Sequence, residues 1–461
     1  MHYPWWFVPF LTAPMLIAMV AVLHVIVSHY AVGGGIFLAV ETRFAYRTHN
    51  RNYLAYLKDH AWFFILVTVV YGAITGVGIW WTIGLASPLA TETLIHAFVF
   101  GWGMEYVFFL LEIVSAFIFY YFWGRLEART HQAIVWIYAV SAWISLVLIT
   151  GITGFMLNPG SWPENHNFWV GFLNPQFLPQ VLVRTGGAIL LAALYVYLHS
   201  SFRAKDADLR KLIVRRSTRP VFLGVILLVL GSLTWFLALP ESAQANLAGA
   251  SVLNVLLALA LGVLALILGT FYLGPYRNPG WLSPGFAILF LVLGIAAVAT
   301  GEFIREAVRK PYILYNVVLG NQILPEEIPR LRKEGYLEGG AWTKAFIAKD
   351  YPQVLSNSKV DPAKLRALPE ADRVKVGEVL FMHHCNDCHS GRRGYSAVGS
   401  LTQGWTPEMV KGLIREPEKA RFAMPPWCGT EEEAELLTKY ILSIAPSRPG
   451  GMNYGNGGNG R

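Results

Sequence analysis

Residues 14–42, PMLIAMVAVLHVIVSHYAVGGGIFLAVET, form an apolar stretch without Lys or Arg, in which the first acidic side chain is Glu41. A helix needs about 20 apolar residues to cross the hydrocarbon core of a bilayer, which is about 30 Å thick. The stretch therefore predicts a transmembrane helix. No Lys or Arg precedes it, and it is too long for the apolar core of a signal peptide, so we expect a span that is not cleaved.

Seven further apolar stretches follow and exclude a soluble or disordered chain. The mean hydropathy is +0.44 and only 14% of residues are charged, whereas soluble domains are about one quarter charged. Three cysteines leave no disulfide scaffold. We predict an all-α fold, a polytopic membrane helix bundle joined to a small α-helical domain. The eight predicted spans are roughly 14–41, 62–85, 94–123, 132–157, 180–200, 220–240, 247–274 and 284–306.

Basic residues in the connecting loops predict the orientation of the spans. Cytoplasmic loops carry an excess of Lys and Arg, and here the second, fourth and sixth loops contain neither. We therefore predict cytoplasmic odd loops and both termini outside. The net charge of +8 does not indicate nucleic-acid binding, because the basic loop residues lie on one predicted side of the membrane. The basic loop residues are Arg43, Arg47, Arg51, Lys58, Arg125, Arg129, Arg203, Lys205, Arg210, Lys211, Arg215, Arg216, Arg219 and Arg277.

The composition changes after residue 311, which predicts a membrane domain over 1–311 and a different organisation beyond it. Residues 312–370 are mixed and contain Pro, as expected of a packed periplasmic linker. Residues 371–447 have the pattern of one small helical domain. Residues 448–461 are rich in Gly and Asn, and we predict a disordered tail.

The predicted small helical domain, residues 371–447, contains Cys385-Asn-Asp-Cys388-His389, a C-x-x-C-H motif. This motif attaches a c-type haem through two thioethers, and its His binds the iron. A thioredoxin-like or zinc C-x-x-C is the alternative, but the sequence offers neither a βαβ pattern nor a second ligand pair. We expect His383 and His384, just before the motif, to be surface residues of a helix.

The second axial ligand of the predicted haem is expected to be Met424, which lies in Ala-Met-Pro-Pro some tens of residues after the motif. A core Met is the alternative. His/Met ligation raises the reduction potential, so this domain is predicted to carry electrons. We expect Cys428 to be a free thiol. The motif and Met424 resemble those of the small class I cytochromes c.

Ionisable residues inside the predicted spans indicate where chemistry takes place in the membrane, because burying them is costly. Glu105 and Glu112 are seven residues apart and share a helix face. A lone His within a span, such as His24, is often a hydrogen-bonded packing residue. The ionisable residues assigned to the spans are His24, His29, His96, Glu105, Glu112, Arg184, Glu302, Arg305 and Glu306.

Four motifs in the membrane part resemble subunit I of the cytochrome bd oxidases over roughly residues 10–315. In that family the His corresponding to His24 ligates haem d. The motifs are His24 with Gly33 and Glu41-Thr42; Glu105 and Glu112 before the aromatic run 117–123; Ser141-Ala142-Trp143 with 154–159; and Val308-Arg309-Lys310-Pro311-Tyr312 in place of G-R-Q-P-W. The resemblance implies one or two non-covalent haems, of b and/or d type, and places Arg309 and the two Glu among the catalytic candidates.

Departures from the family pattern concern the route by which electrons arrive. Arg184 stands where the family has the His ligand of its low-spin haem b, so this site is expected to be absent and Arg184 to pair with a carboxylate or a haem propionate. Ala299 stands where the family has a Glu haem ligand, and Glu302, one turn away, is a substitute. The quinol-binding loop is reduced to about 241–246, and the cytochrome c domain replaces the last span.

Two functions remain open at this point, and with them whether the chain is an enzyme. The first is a cytochrome c-linked, bd-like oxygen reductase subunit with Glu105 and Glu112 as proton relays or haem-pocket groups. The second is a non-catalytic electron-transfer and anchor subunit of a larger respiratory complex. Both imply a bacterial inner-membrane protein with its haem c domain in the periplasm. The expected partners are a second membrane subunit and periplasmic c-type cytochromes, without a quinone site.

Overall fold

The structure of the protein, a computed structural model, describes residues 6–445. Within these residues eight helices are long and apolar enough to cross a membrane, which confirms the predicted number of spans. They are numbered span 1 to span 8 in chain order: Ala13–Arg47, Arg51–Ala86, Val99–Tyr121, Ala128–Phe155, Phe177–Arg203, Ala207–Leu237, Ser251–Tyr276 and Pro284–Val308. The predicted disordered tail, 448–461, lies outside the described residues.

Shorter elements connect the spans. Span 2 contains a π-helical segment, Leu66–Tyr71, and span 7 ends in another, Tyr272–Tyr276. A two-stranded antiparallel hairpin, Tyr312–Leu314 with Val318–Leu319, follows span 8. The short helices between the spans are Pro88–Ala97, Trp162–Asn165, Phe168–Phe172, Glu241–Gly249 and the 3₁₀ turn Pro279–Trp281.

Polar side chains define where several spans begin. The Asn50 side chain accepts a hydrogen bond from the Tyr53 amide at 2.9 Å, and the Asp206 side chain accepts one from the Asp208 amide at 2.8 Å. Such N-caps satisfy amides that have no partner within the helix. Spans 2 and 6 therefore begin at Arg51 and Ala207, about three to four turns before the apolar stretches predicted from the sequence.

Ion pairs explain why the helices continue beyond the apolar stretches. Arg203 of span 5 donates to Asp59 of span 2 at 2.7 Å, and Arg216 of span 6 pairs with the buried Glu41 of span 1. The placement of His96 in span 3 was wrong. This residue is exposed on the short helix Pro88–Ala97, where its Nδ1 lies 2.9 Å from the Glu92 carbonyl, and span 3 begins only at Val99.

The chain divides into two compact units: the membrane unit, residues 17–319, and the tail unit, which among the described residues comprises 6–16 and 320–445. Span 5 is the most deeply buried of the eight spans. It packs closely against span 1 at Gly33. The two backbones approach so closely there that a Cβ on residue 33 would collide with the carbonyl of Ala188. Span 5 also contacts spans 2, 4, 6 and 8.

The tail unit is built around two packed helices, Glu370–His384 and Glu431–Ile444. Gly377 allows this crossing, since a Cβ there would meet the Leu436 backbone, and the Phe381 and Tyr440 rings pack 5.3 Å apart. The remaining elements are helices Ile328–Glu334, Tyr336–Gly339, Thr343–Asp350, Pro362–Arg366, Val398–Leu401, Pro407–Arg415 and Pro417–Ala420; the 3₁₀ turns Pro325–Glu327 and Pro352–Val354; and the hairpin Leu355–Ser356 with Lys359–Val360.

Candidate haem sites

The C-x-x-C-H motif begins where the helix Glu370–His384 ends. The Cys385 amide still donates to the Phe381 carbonyl at 2.8 Å, and the His389 amide donates to the Cys385 carbonyl at 3.0 Å. This turn brings both cysteines and the histidine together at the end of the helix. All three side chains are half-buried, so they lie at the edge of the unit's core, where a flat cofactor could be attached.

The ring of His389 is oriented by Ser396. Its Nδ1 lies 2.9 Å from the Ser396 carbonyl oxygen and 3.0 Å from the Ser396 hydroxyl. A carbonyl oxygen can only accept, so Nδ1 carries the proton and the lone pair remains on Nε2. Metal-binding histidines are commonly oriented in this way by a hydrogen bond from the other ring nitrogen.

Within residues 6–445 the two cysteines of the motif do not belong to a cluster that could hold zinc. Among residues 6–445 no group of three or more His, Cys, Asp or Glu side chains is close enough to hold a metal ion. Two thiols followed by an oriented imidazole are the donor set that a covalent haem c requires. Met424 lies half-buried on a loop, where its amide donates to the Arg421 carbonyl at 3.0 Å.

The prediction that His383 and His384 are surface residues was wrong, since both are buried. Residues 320–351, regarded as linker in the sequence, pack against the end of their helix. The Tyr336 hydroxyl donates to His384 Nδ1 at 2.7 Å and accepts from the amide of Cys428 at 3.1 Å. Burial lowers the pKa of His384 to about 3, so this imidazole stays neutral. Cys428 is buried and forms no disulfide.

Glu433 joins residues 320–351 to the two packed helices of the tail unit, which we call the cytochrome core. Its carboxylate accepts hydrogen bonds from the amides of Tyr336 at 2.9 Å, Leu337 at 2.7 Å and Thr430 at 2.9 Å. Burial nevertheless raises the pKa of Glu433 to about 6, since desolvation outweighs the three amide donors. The Glu433 carboxylate therefore stabilises the packing of residues 336–337 in the tail unit, a role that the sequence did not predict.

In the membrane unit His24 contacts span 2. Its Nδ1 lies 3.1 Å from Thr75 Oγ1, and its ring lies beside Gly76, which leaves room for it. The Thr75 hydroxyl is directed at the carbonyls of Tyr71 and Gly72, at 3.0 and 3.1 Å, so its oxygen accepts from His24 Nδ1–H. The lone pair of His24 is then on Nε2, as in His389, and this tautomer fits a haem ligand.

Charged residues from three spans meet around Glu302. Arg305 donates to the Glu302 carboxylate at 2.9 Å, and Arg184 of span 5 and His29 of span 1 are close enough to interact with it electrostatically. The expectation that Arg184 pairs with a carboxylate stays a prediction, for which this proximity is support. Because Arg305 already occupies one oxygen of Glu302, a role of Glu302 as an iron ligand would compete with this ion pair.

Arg309 is buried at the end of span 8. Its Nη2 donates to Glu306, whereas Nε and Nη1 have no hydrogen-bond partner among the described residues. Buried guanidinium nitrogens without a partner are costly. The Nε and Nη1 groups of Arg309 could donate hydrogen bonds to an anionic group such as a haem propionate.

Glu105 and Glu112 of span 3 both face span 4. Ser145 donates to Glu105 Oε1 at 3.1 Å and lies near Glu112, and the two carboxylates interact electrostatically. The structure thus brings the two carboxylates together, as their spacing predicted.

Several residues of interest were missed in the sequence. Thr75 and Ser396, which set the two histidine tautomers, belong to no motif. The buried His60 and His199 are ionisable residues in spans 2 and 5. The cost of such residues in a membrane is the signal that could have revealed them, but His60 fell outside the predicted span and His199 was not singled out.

These observations define a membrane-bound haem protein of electron transport: a bundle of spans with candidate haem ligands, and a helical unit with a haem c motif. The model of the family cytochrome bd terminal oxidase subunit I matches residues 13–244, and the chain belongs to this family. The model described as cytochrome c oxidase, cbb3-type, subunit III matches residues 372–441. The combination implies haems, among them one of c type.

The fold is also similar to a solved structure, the bd oxidase from Geobacillus thermodenitrificans. The TM-score is 0.56 at 16% sequence identity, and the similarity covers 66% of this chain and 87% of that one. This likeness supports the fold only. A comparison with curated proteins gave no match.

Proposed function

We propose that the protein is the haem-binding subunit of a cytochrome c-linked oxygen reductase of the bd type. The observation that carries the proposal is the union, in one chain, of a bd subunit I unit that retains His24, Glu105 and Glu112 with a cytochrome c unit. Electrons are received at the haem c and pass to haem in the membrane unit. A scaffold without chemistry would gain nothing from burying two carboxylates in its spans.

The hydrogen bonds that orient His389 and His24 support these two residues as haem ligands. Cys385 and Cys388 attach one haem c, with His389 and Met424 as its axial ligands. We expect one or two non-covalent haems of b and/or d type, and His24 would bind one of them. Arg309 and Arg184 would neutralise haem propionates. Haem iron supplies the electron carrier and, where a coordination position is open, the site at which oxygen binds.

Quinol is not expected to be the electron donor. The connection between spans 6 and 7 is short, and its helix Glu241–Gly249 is packed on the bundle, where Ala243 and Leu247 join a core with Leu157 and Val308. Arg184 also replaces the histidine that would bind the haem b next to quinol. Reduced c-type cytochromes in the periplasm are then the donors.

The protein is placed in the bacterial inner membrane, with the haem c unit in the periplasm. The odd loops carry the basic residues and are assigned to the cytoplasm, and haem c is attached on the opposite side. A second membrane subunit is expected by analogy with the family. The lipid bilayer and periplasmic redox proteins complete the set of partners.

A non-catalytic electron-transfer and anchor subunit is the second candidate. The ion pair of Glu302 with Arg305 favours it, because a carboxylate held by an arginine is a poor iron ligand. In that case the membrane unit would hold only six-coordinate haem, and oxygen would be reduced elsewhere.

The experiment that tests the proposal is a pyridine haemochrome analysis with a CO-difference spectrum of the purified protein. We expect one covalent haem c together with non-covalent haem that binds CO. Oxygen uptake with reduced cytochrome c should follow, while quinol should reduce the protein slowly. Haem that is inert to CO would favour the second candidate, and rapid reduction by quinol would contradict the proposed donor.

A further inference from the structure

Two buried histidines of the membrane unit have a feature that packing does not explain. His60 of span 2 is fully buried and His199 of span 5 is 7% exposed, and their rings meet edge to face with centroids 4.8 Å apart. Within the described part of the chain, Nδ1 of each ring has no hydrogen-bond partner. A buried polar atom without a hydrogen-bond partner destabilises the folded state, so packing alone does not account for this pair.

The Nε2 atom of each histidine lies near a polar side chain. His199 Nε2 lies 3.8 Å from Asp59 Oδ2, and Asp59 is about one-third exposed and held by Arg203 through two hydrogen bonds, of 2.7 and 2.8 Å. His60 Nε2 lies 3.1 Å from the hydroxyl of Tyr30, which is fully buried. Water thus reaches one end of this row of groups, and the other end lies inside span 1.

Beyond Tyr30 the row approaches the two carboxylates. The Tyr138 hydroxyl donates to the carbonyl of Ala31, the neighbour of Tyr30, at 3.3 Å. Tyr138 interacts electrostatically with Tyr30 and with Glu112, and Glu112 is followed by Ser145 and Glu105. The aromatic and charged neighbours of the histidine pair are Tyr30, Tyr56, Phe37, Phe63, Asp59 and Arg203.

We propose that Asp59, His199, His60 and Tyr30 form a proton relay from the side of the basic loops toward the Glu112–Glu105 pair. The inference rests on the proposed function, since oxygen reduction consumes protons. Neutral imidazole accepts a proton at one nitrogen and releases one from the other. His199 takes a proton at Nε2 beside Asp59 and gives up the one on Nδ1 to His60 Nδ1.

His60 then passes its Nε2 proton to the Tyr30 oxygen, and the hydroxyl proton that Tyr30 gives up ends on the Glu112 carboxylate, which becomes the protonated acid. Each relay group ends neutral, one proton has moved inward, and nothing is oxidised or reduced. The two imidazoles are left in their opposite tautomers and must exchange them back before the next proton. The two Nδ1 atoms without partners are the ring nitrogens left for the transfer between the histidines; they are not hydrogen-bonded to each other in the structure, so the rings must turn to bring them within reach.

His131 of span 4 shows what a structural histidine looks like in the same unit. It is also fully buried, but its Nδ1 lies 2.8 Å from the Tyr46 hydroxyl and its Nε2 lies 2.8 Å from the Phe119 carbonyl. Both nitrogens are satisfied, so the ring cannot pass a proton without breaking one of these bonds. His131→Phe is therefore the matched control for His60→Phe and His199→Phe.

The test uses the haem-loaded protein in vesicles, with oxygen uptake driven by reduced cytochrome c. We expect each relay variant to retain its haem spectrum and to lose roughly 100-fold to 10,000-fold in turnover, the scale of a lost proton-transfer group. His131→Phe with an intact spectrum should keep its turnover. Relay variants that turn over like the wild type would overturn the relay.

A second readout does not depend on turnover. In protein labelled with ¹⁵N-histidine, the ring N–H of His60 should exchange with D₂O faster than that of His131, and His199→Phe should slow the exchange at His60. Equal, slow exchange at both rings would refute the relay. Failure of the wild-type protein to reduce oxygen would overturn the proposed function instead, and the exchange rates would still decide whether protons move along this row.

Discussion

His389 and His24 lie in different units, yet their rings are held in the same way. In each ring Nδ1 is engaged by a serine or threonine residue and Nε2 keeps the lone pair. The partner of His389 is Ser396, seven residues further along the chain, whereas Thr75, the partner of His24, is 51 residues away on another span. The cytochrome c site is thus formed by one local turn, while the membrane site exists only when spans 1 and 2 are packed.

The difference indicates how each site should respond to change. A covalent haem on a local motif should survive the loss of one axial ligand, because the two thioethers remain. A non-covalent haem depends on its axial ligand and on the helix packing that orients that ligand. The predictions below test this contrast, beginning with the largest effect.

His24→Ala is expected to abolish binding of one non-covalent haem and to leave the covalent haem c in place. The reason is that no thioether compensates for the lost iron ligand in the membrane unit. Haem is counted by pyridine haemochrome analysis before and after acid-acetone extraction, which removes only non-covalent haem. Full retention of extractable haem would reject His24 as a ligand.

Met424→Ala is expected to lower the reduction potential of haem c without releasing it. Axial ligands set haem potentials over about 0.8 V, so a shift of a few tenths of a volt is expected. A redox titration of the haem c band measures it. The control is Met409→Ala, since Met409 is exposed on the helix Pro407–Arg415. An unchanged potential in the Met424 variant would assign the ligand to another residue.

Thr75→Val is expected to weaken the binding of the membrane haem by roughly 10- to 100-fold, as is typical when the hydrogen-bond partner of a metal-binding His is lost. Thr82→Val is the control on the same span. Thr82 is equally buried, but its hydroxyl bonds only to carbonyls of its own helix, at Gly78 and Ile79. Haem retention during dialysis against apomyoglobin compares the two. Equal retention would break the parallel between His24 and His389.

The sequence predicted the features that depend on neighbouring residues. Apolar length revealed the eight spans, and C-x-x-C-H revealed the candidate haem c site, because both patterns are local. The ends of spans 2 and 6 were missed, since caps and the ion pairs Asp59–Arg203 and Glu41–Arg216 extend these helices past the apolar stretches. Thr75 was missed because a pairing between spans leaves no local pattern.

The surroundings of the cytochrome motif show the same limit. His383 and His384 are polar residues at a helix end and were expected to face water. They are buried because residues 320–351 fold back on them, and this segment has no strong apolar periodicity of its own. What holds it is a hydrogen-bonded network around Tyr336, His384 and Glu433, and such a network is defined only once the chain is folded.

Glu433 provides the smallest and most specific test of that network. Its pKa is about 6 in the folded protein against 4.5 for an ordinary Glu, so between these values the folded state binds more protons than the unfolded state. The stability that Glu433 contributes is therefore fully present below pH 4.5 and is lost as the pH rises to about 6. A shift of this size corresponds to about 2 kcal/mol in the free energy of unfolding.

Urea unfolding of the full-length holoprotein, followed in the haem c band between pH 4.5 and 6, measures this slope. Glu433→Gln should remove the Glu433 contribution, because the amide does not titrate. The quantity to compare is therefore the free energy of unfolding of the wild type relative to Glu433→Gln, which should fall over this range, since the buried His384 adds a slope of opposite sign to both proteins. Glu431→Gln is the control: Arg415 and Lys411 lower the pKa of Glu431 to about 2, so its contribution changes only below pH 4.5. A difference in stability between the wild type and Glu433→Gln that stays constant over this range would mean that the buried carboxylate is not what joins residues 320–351 to the cytochrome core, and the neutral Tyr336–His384 pair would then have to hold the segment alone.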